Sequence, residues 1–160
     1  MVKKVKIYLR STQNIKLPLP EDELSELEEE LISPEPFLTE VESEGELEYR
    51  DGAVTITYME SAATGLENCI TTVSFTDTEP GRVTLYRAGP VKTALMFCEG
   101  QRYISIYDTG FGCYEVGIYT EKCDNAIGTD GGELAISYDV EIRGSEAEHT
   151  ELLLKVRELQ

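Results

Sequence analysis

Glutamates fall at positions 40, 42, 44, 46 and 48, and between and after them stand Val41, Ser43, Gly45, Leu47 and Tyr49. Side chains alternate faces along a strand. This segment therefore lays carboxylates along one side and small or apolar groups along the other, a strand with one wet face and one dry face. The same period of two runs through most of the chain. Val5, Ile7 and Leu9 alternate with Lys4, Lys6, Tyr8 and Arg10. After the tight-turn pair Asp51-Gly52, Val54, Ile56, Tyr58 and Glu60 share a face. Further strands are expected at Cys69–Thr76, Arg82–Ala88, Thr93–Glu99, Tyr103–Thr109 and Cys113–Thr120, divided by turns rich in glycine and proline. Residues 122–132 read as a loop and 144–148 as a turn. Leu134, Ile136, Tyr138, Val140 and Ile142 make one apolar face, and Leu152, Leu154 and Val156 make the last.

About ten strands joined by short turns form an antiparallel up-and-down meander. Left open, it would expose two unpaired edges, and closure removes them. The expectation is an all-β closed barrel, with a two-sheet sandwich as the alternative. The basic first strand suits a place beside the glutamate row. One segment departs from the pattern. Pro18, Pro20, Pro34 and Pro36 mark an acidic insert over residues 15–36, where Leu24, Leu27 and Leu31 predict a short helix on Glu21–Ile32. Docked by its leucines over a barrel end, it would act as a lid.

The chain has 160 residues and 41 % hydrophobic content, enough for one domain with a full core over 1–160. No apolar run approaches a membrane span. The start carries lysines but no apolar stretch of a signal peptide, so a cytoplasmic location is expected. Cys69, Cys98, Cys113 and Cys123 show no C-x-x-C spacing and read as free thiols. A net charge of −17 disfavours nucleic acid and anionic membrane as partners and leaves a basic protein open. Charge of this size also serves solubility alone.

No catalytic motif stands out. The one histidine, His149, reads as part of an acidic turn, so a Ser–His or Cys–His pair is not expected. With a single histidine and no ligand pairs close in sequence, no metal or other cofactor is expected either. The 31 acidic residues offer too many carboxylate pairs for any one to be diagnostic. Two charges are informative because they break the alternation. Glu60 continues the dry face of Val54, Ile56 and Tyr58, and Arg87 continues that of Val83 and Leu85. A buried ion costs several kcal/mol unless paired, so Arg87 is expected to meet Glu60, with Tyr58, Tyr107 and Tyr138 as hydrogen-bonding neighbours. The plainer alternative is that each charge reaches solvent past the barrel rim.

Tyr58-x-Glu60, Gly65, the Thr71 strand, Arg87-x-Gly89, Phe97-x-x-Gly100, Tyr107-x-Thr109, Gly112, Thr120, Gly132 and Tyr138 occur in an order and spacing that resemble the bacterial family DUF1934, the YwiB-like β-barrel proteins. The likeness runs over about residues 53–157, and the acidic insert departs from it. The resemblance implies a calycin-like, lipocalin-type barrel of about eight to ten strands and carries no activity. Three functions fit the residues. The first is a non-enzymatic barrel that binds a small, partly apolar or anionic molecule at Arg87, Glu60, Tyr58, Tyr107 and Tyr138. The second is an interaction module whose acidic insert and glutamate row dock a basic partner. The third is a lyase or isomerase with Glu60 as base and a tyrosine as acid.

Overall fold

The computed structural model describes residues 1–15, 37–60, 68–108, 112–142 and 145–159. These residues form ten strands: β1 (Val2–Ile15), β2 (Phe37–Arg50), β3 (Ala53–Met59), β4 (Ile70–Thr76), β5 (Arg82–Ala88), β6 (Lys92–Cys98), β7 (Arg102–Asp108), β8 (Cys113–Asn125), β9 (Gly131–Ile142) and β10 (Ser145–Glu158). Each pairs antiparallel with its sequence neighbours. β1 pairs with both β2 and β10, which closes the barrel. Among the described residues no helix is long and apolar enough to cross a membrane. The helix expected on Glu21–Ile32, and its use as a lid, lie outside the described residues.

Alternation explains the wall. On β2, Leu47 is buried while Glu40, Glu42, Glu44, Glu46 and Glu48 are exposed. The basic first strand lies beside this row, with Lys4 opposite Glu46 and Lys6 opposite Glu44, and Lys6 Nζ reaches Glu42 at 3.3 Å. Positive charge along β1 thus offsets part of the repulsion within the row. Gly45 is the one inward position on β2 without a side chain. A Cβ there would strike the Thr57 carbonyl and come within 2.7 Å of Ile7 Cδ1. Its absence lets β3 and the Ile7 side chain close over β2. Asp51 and Gly52, at φ 51° and 84°, make the left-handed pair that a two-residue hairpin turn requires.

Several strands run past their expected ends, β9 by starting at Gly131 inside the expected 122–132 loop, and β8 and β10 each through a bulge. β8 continues to Asn125 after a register shift between Thr120 and Lys122, so residues 122–125 are strand and not loop. β10 begins at Ser145, with a shift between Glu146 and Glu148, so 145–148 are strand and not turn. An extra residue reverses the phase of alternation, and the sequence pattern is lost there.

The barrel has an apolar end and a polar end. At the apolar end, where the 51–52, 77–81, 99–101 and 126–130 connections lie, the lumen is filled by side chains including Leu47, Val54, Val83, Phe97, Leu134 and Leu154, all at most 2 % exposed. Ile127 is buried there as well. Asn125 Oδ1 accepts from the Ile127 amide at 3.0 Å, and Asn125 Nδ2 donates to the Pro80 carbonyl at 2.9 Å. That single side chain fixes its own turn and ties it to the turn between β4 and β5.

Candidate functional site

The polar end is where β1 finishes and β2 begins. Inward positions that are aliphatic further down the same strands become threonine, tyrosine and charged residues here. Across β3 to β7, Tyr58, Thr71, Arg87, Thr93 and Tyr107 are successive cross-strand neighbours. On the facing wall, Thr120, Tyr138, Thr150 and Gln13 are neighbours in the same way across β8, β9, β10 and β1. Between the two rows lies a cavity of about 370 Å³, lined by Glu60, Arg87, Tyr107, Tyr138, Glu148 and Thr150 among polar groups, with Leu9, Leu95, Val116, Ile118, Val140 and Leu152 as its apolar wall.

Glu60 follows β3, and its amide donates to the Cys69 carbonyl at 2.8 Å, which extends the β3–β4 ladder by one step. Its carboxylate turns inward, with the side chain only 1 % exposed. Thr71 Oγ1 donates to Glu60 Oε1 at 2.7 Å. Arg87 Nε stands 3.8 Å from the same oxygen, an ion pair longer than a hydrogen bond, and it has no hydrogen-bond partner among the described residues. The Arg87 side chain is 19 % exposed. Neither charge escapes past the rim. The pair is offset, with a threonine making the short bond to the carboxylate and the guanidinium left to face the cavity.

Two of these tyrosines have raised pKa values. Burial raises the pKa of Tyr58, the Glu60 charge raises it further, and Arg87 opposes both. Tyr138 is pushed up by burial, partly offset by Arg87. Its ring packs on Phe97 with centroids 4.8 Å apart, which joins the polar end to the apolar core. Of the five residues expected from sequence, Glu60, Arg87, Tyr107 and Tyr138 line the cavity, and Tyr58 is buried in the wall beside the ion pair.

Glu148, expected in the 144–148 turn, is instead a cavity carboxyl. It stands on β10 directly after the bulge, accepts a hydrogen bond from Thr150 Oγ1 at 3.2 Å, and has its pKa raised by burial against the opposing effect of that bond. His149, expected in the same turn, is also on β10 and faces the outer wall, where Nδ1 lies 2.6 Å from Asp139 Oδ1. A larger groove, about 430 Å³, crosses the outside of β1, β9 and β10. It lies on the outer surface, and one of its cations, Lys155, is already engaged with Glu133 at 3.6 Å. The interior cavity is the better candidate because it combines an apolar wall with a buried donor in want of an acceptor.

Fold and site together define a closed ten-stranded antiparallel barrel that is packed at one end and polar and hollow at the other. The chain belongs to the family DUF1934, a domain of unknown function, whose model matches residues 34–154. Among solved structures it is similar to the crystal structure of ywiB protein from Bacillus subtilis, with a TM-score of 0.76 and 17 % identity over 99 % of this chain and 94 % of that one. At that identity the likeness carries the fold alone. A search of curated proteins gives no match.

Proposed function

We propose that the barrel binds a small, partly apolar molecule with an anionic or strongly hydrogen-bond-accepting head, held at the polar end by Arg87. The observation that carries this reading is the Arg87 guanidinium, mostly buried, 3.8 Å from Glu60 rather than bonded to it, with Nε unpartnered among the described residues. A buried donor left without an acceptor costs about 1–3 kcal/mol, and a ligand oxygen would recover that. The cavity, about 370 Å³, falls at the lower end of the roughly 300–1,000 Å³ usual for small-molecule pockets. The Tyr138 and Tyr107 side chains line it beside Arg87, and the Leu9, Leu95 and Leu152 side chains offer apolar contact to a short tail. An enzymatic reading would use the same residues, but the upward shift of Tyr58 and Tyr138 makes both poor proton donors.

The test is thermal stabilisation by a panel of short-chain and medium-chain carboxylates, neutral analogues of the same length, and anionic metabolites. Stabilisation by acids over matched neutral compounds, lost in Arg87→Met, is the expected result. Arg87→Met leaves Glu60 without its cation, so the Arg87→Met/Glu60→Gln double variant, which removes both charges, is measured alongside it. Equal response of acids and neutral analogues, or full retention in both variants, would refute the assignment.

A further inference from the structure

Outside the same wall, on β8, β9 and β10, three residues far apart in sequence meet. Register sets Tyr119 opposite Asp139 and Asp139 opposite His149. Asp139 and His149 alternate with the inward Tyr138 and Thr150 and so face outward. Glu121 follows the inward Thr120 as the extra residue of the β8 bulge, between Thr120 and Lys122, and its carboxylate reaches the same spot. One ligand atom from each of Glu121, Asp139 and His149 lies within 4.8 Å of the other two. We propose that these three side chains form a binding site for a divalent transition-metal ion of the zinc type.

The donor set fits that class of ion. One imidazole nitrogen with two carboxylate oxygens suits Zn²⁺ and its first-row neighbours, whereas Ca²⁺ and Mg²⁺ take all-oxygen shells and copper(I) takes sulfur. Three protein ligands leave a position for water or a small ligand, as open zinc sites do. The surroundings of the histidine fit as well. Its Nε2 lies 3.3 Å from Ser137 Oγ and 3.9 Å from Glu151 Oε1. With its N–H donated there, the ring presents the Nδ1 lone pair to the metal, which is the outer-shell arrangement that orients ligating histidines. The ion binds Nδ1 of the neutral ring, whose one proton then sits on Nε2; a second proton, where the ring carries one, leaves to solvent.

The frame is rigid where it needs to be. The His149 and Asp139 side chains are 18 % and 13 % exposed and sit on paired strands, so their positions are set before any ion arrives. Glu121 is exposed and closes the remaining distance by side-chain rotation. A net charge of −17 raises the local concentration of cations around the whole barrel. The site backs onto the cavity wall, since Asp139 follows Tyr138 and His149 separates Glu148 from Thr150.

The experiment is isothermal titration of untagged, chelator-stripped protein with ZnCl₂, paired with Co²⁺ absorption spectroscopy. The expected result is one ion per chain, and cobalt d–d bands without the intense near-ultraviolet charge-transfer bands of thiolate ligation. Glu121→Gln, at an exposed position that spares the fold, should weaken binding at least about tenfold, and Ser137→Ala should weaken it about tenfold through the histidine. His149→Asn should abolish it, with circular dichroism confirming the barrel. Binding unchanged in Glu121→Gln and His149→Asn would overturn the site, as would thiolate bands, which assign the metal to the cysteines. Absence of any binding would overturn it too. If Ser137 then reacted with a fluorophosphonate, the Ser137–His149–Asp139 chain would be a nucleophile relay and not a metal site.

Discussion

The two ends of this barrel are built by the same strands with the same alternation, yet they are chemically opposite. At the apolar end inward positions hold Leu47, Val54, Val83, Phe97 and Leu134, packed with almost no exposure. A few residues along, the inward positions are Tyr58, Thr71, Arg87, Thr93, Tyr107 and Thr120. Closure needs only the period of two, so both ends are equally good barrel. What differs is stability against use. Hydrocarbon in the lumen contributes packing, while hydroxyls and charges in the lumen cost desolvation. Thr93 Oγ1, Thr120 Oγ1 and Arg87 Nε are buried without hydrogen-bond partners among the described residues. Such costs, gathered at one end around a cavity, are what the proposed binding site at that end rests on.

The contrast can be broken most sharply at its apolar side. Phe97→Ala removes a fully buried ring that also supports Tyr138, and should cost about 3–5 kcal/mol in urea unfolding. A loss under about 1 kcal/mol would mean that the apolar end is not the stabilising one. At the polar end, two substitutions of one kind should differ. Thr71→Val takes away the donor that Glu60 uses at 2.7 Å, at a cost of about 1–3 kcal/mol. Thr120→Val removes a buried hydroxyl with no partner among the described residues, and should fall within about 1 kcal/mol of the parent or be more stable. Equal losses would show that Thr120 has a bonding role after all.

The smallest effect concerns pH. Burial raises the Glu148 pKa above its ordinary value of 4.5 in the folded state. The folded chain then holds this proton more tightly than the unfolded chain. The contribution to stability is full below the ordinary value and fades as pH rises through the raised one. Glu148→Gln should flatten that part of the stability–pH profile and be slightly more stable than the parent at neutral pH. An unchanged profile would mean that Glu148 is solvated and does not belong to the cavity.

Much of this was legible in the residues, and the gaps have a cause. The strands from Ala53 to Asp108 alternate without interruption and are bounded by strong turn residues, so β3 to β7 emerge within about a residue of the expected ends. Glu60 and Arg87 announce themselves as charges on a dry face. What failed to show lies at the two bulges. Past Thr120 and before Glu148 the phase reverses, so strand reads as loop, and Glu148 and His149 are misplaced with it. Glu121, Asp139 and His149 carry no signal in one dimension because three strands bring them together, and because 31 acids hide any two. Bulges occur where side chains are re-aimed for use, so the places where the pattern broke are the places where function should be sought.

The central claim is that the polar end holds a molecule. Native mass spectrometry of freshly purified protein, set against its denatured mass, tests this most directly. The account predicts a reproducible extra mass that leaves on unfolding and is absent from Arg87→Met. A bare native mass for the parent protein, unchanged after incubation with the carboxylate panel, would contradict it.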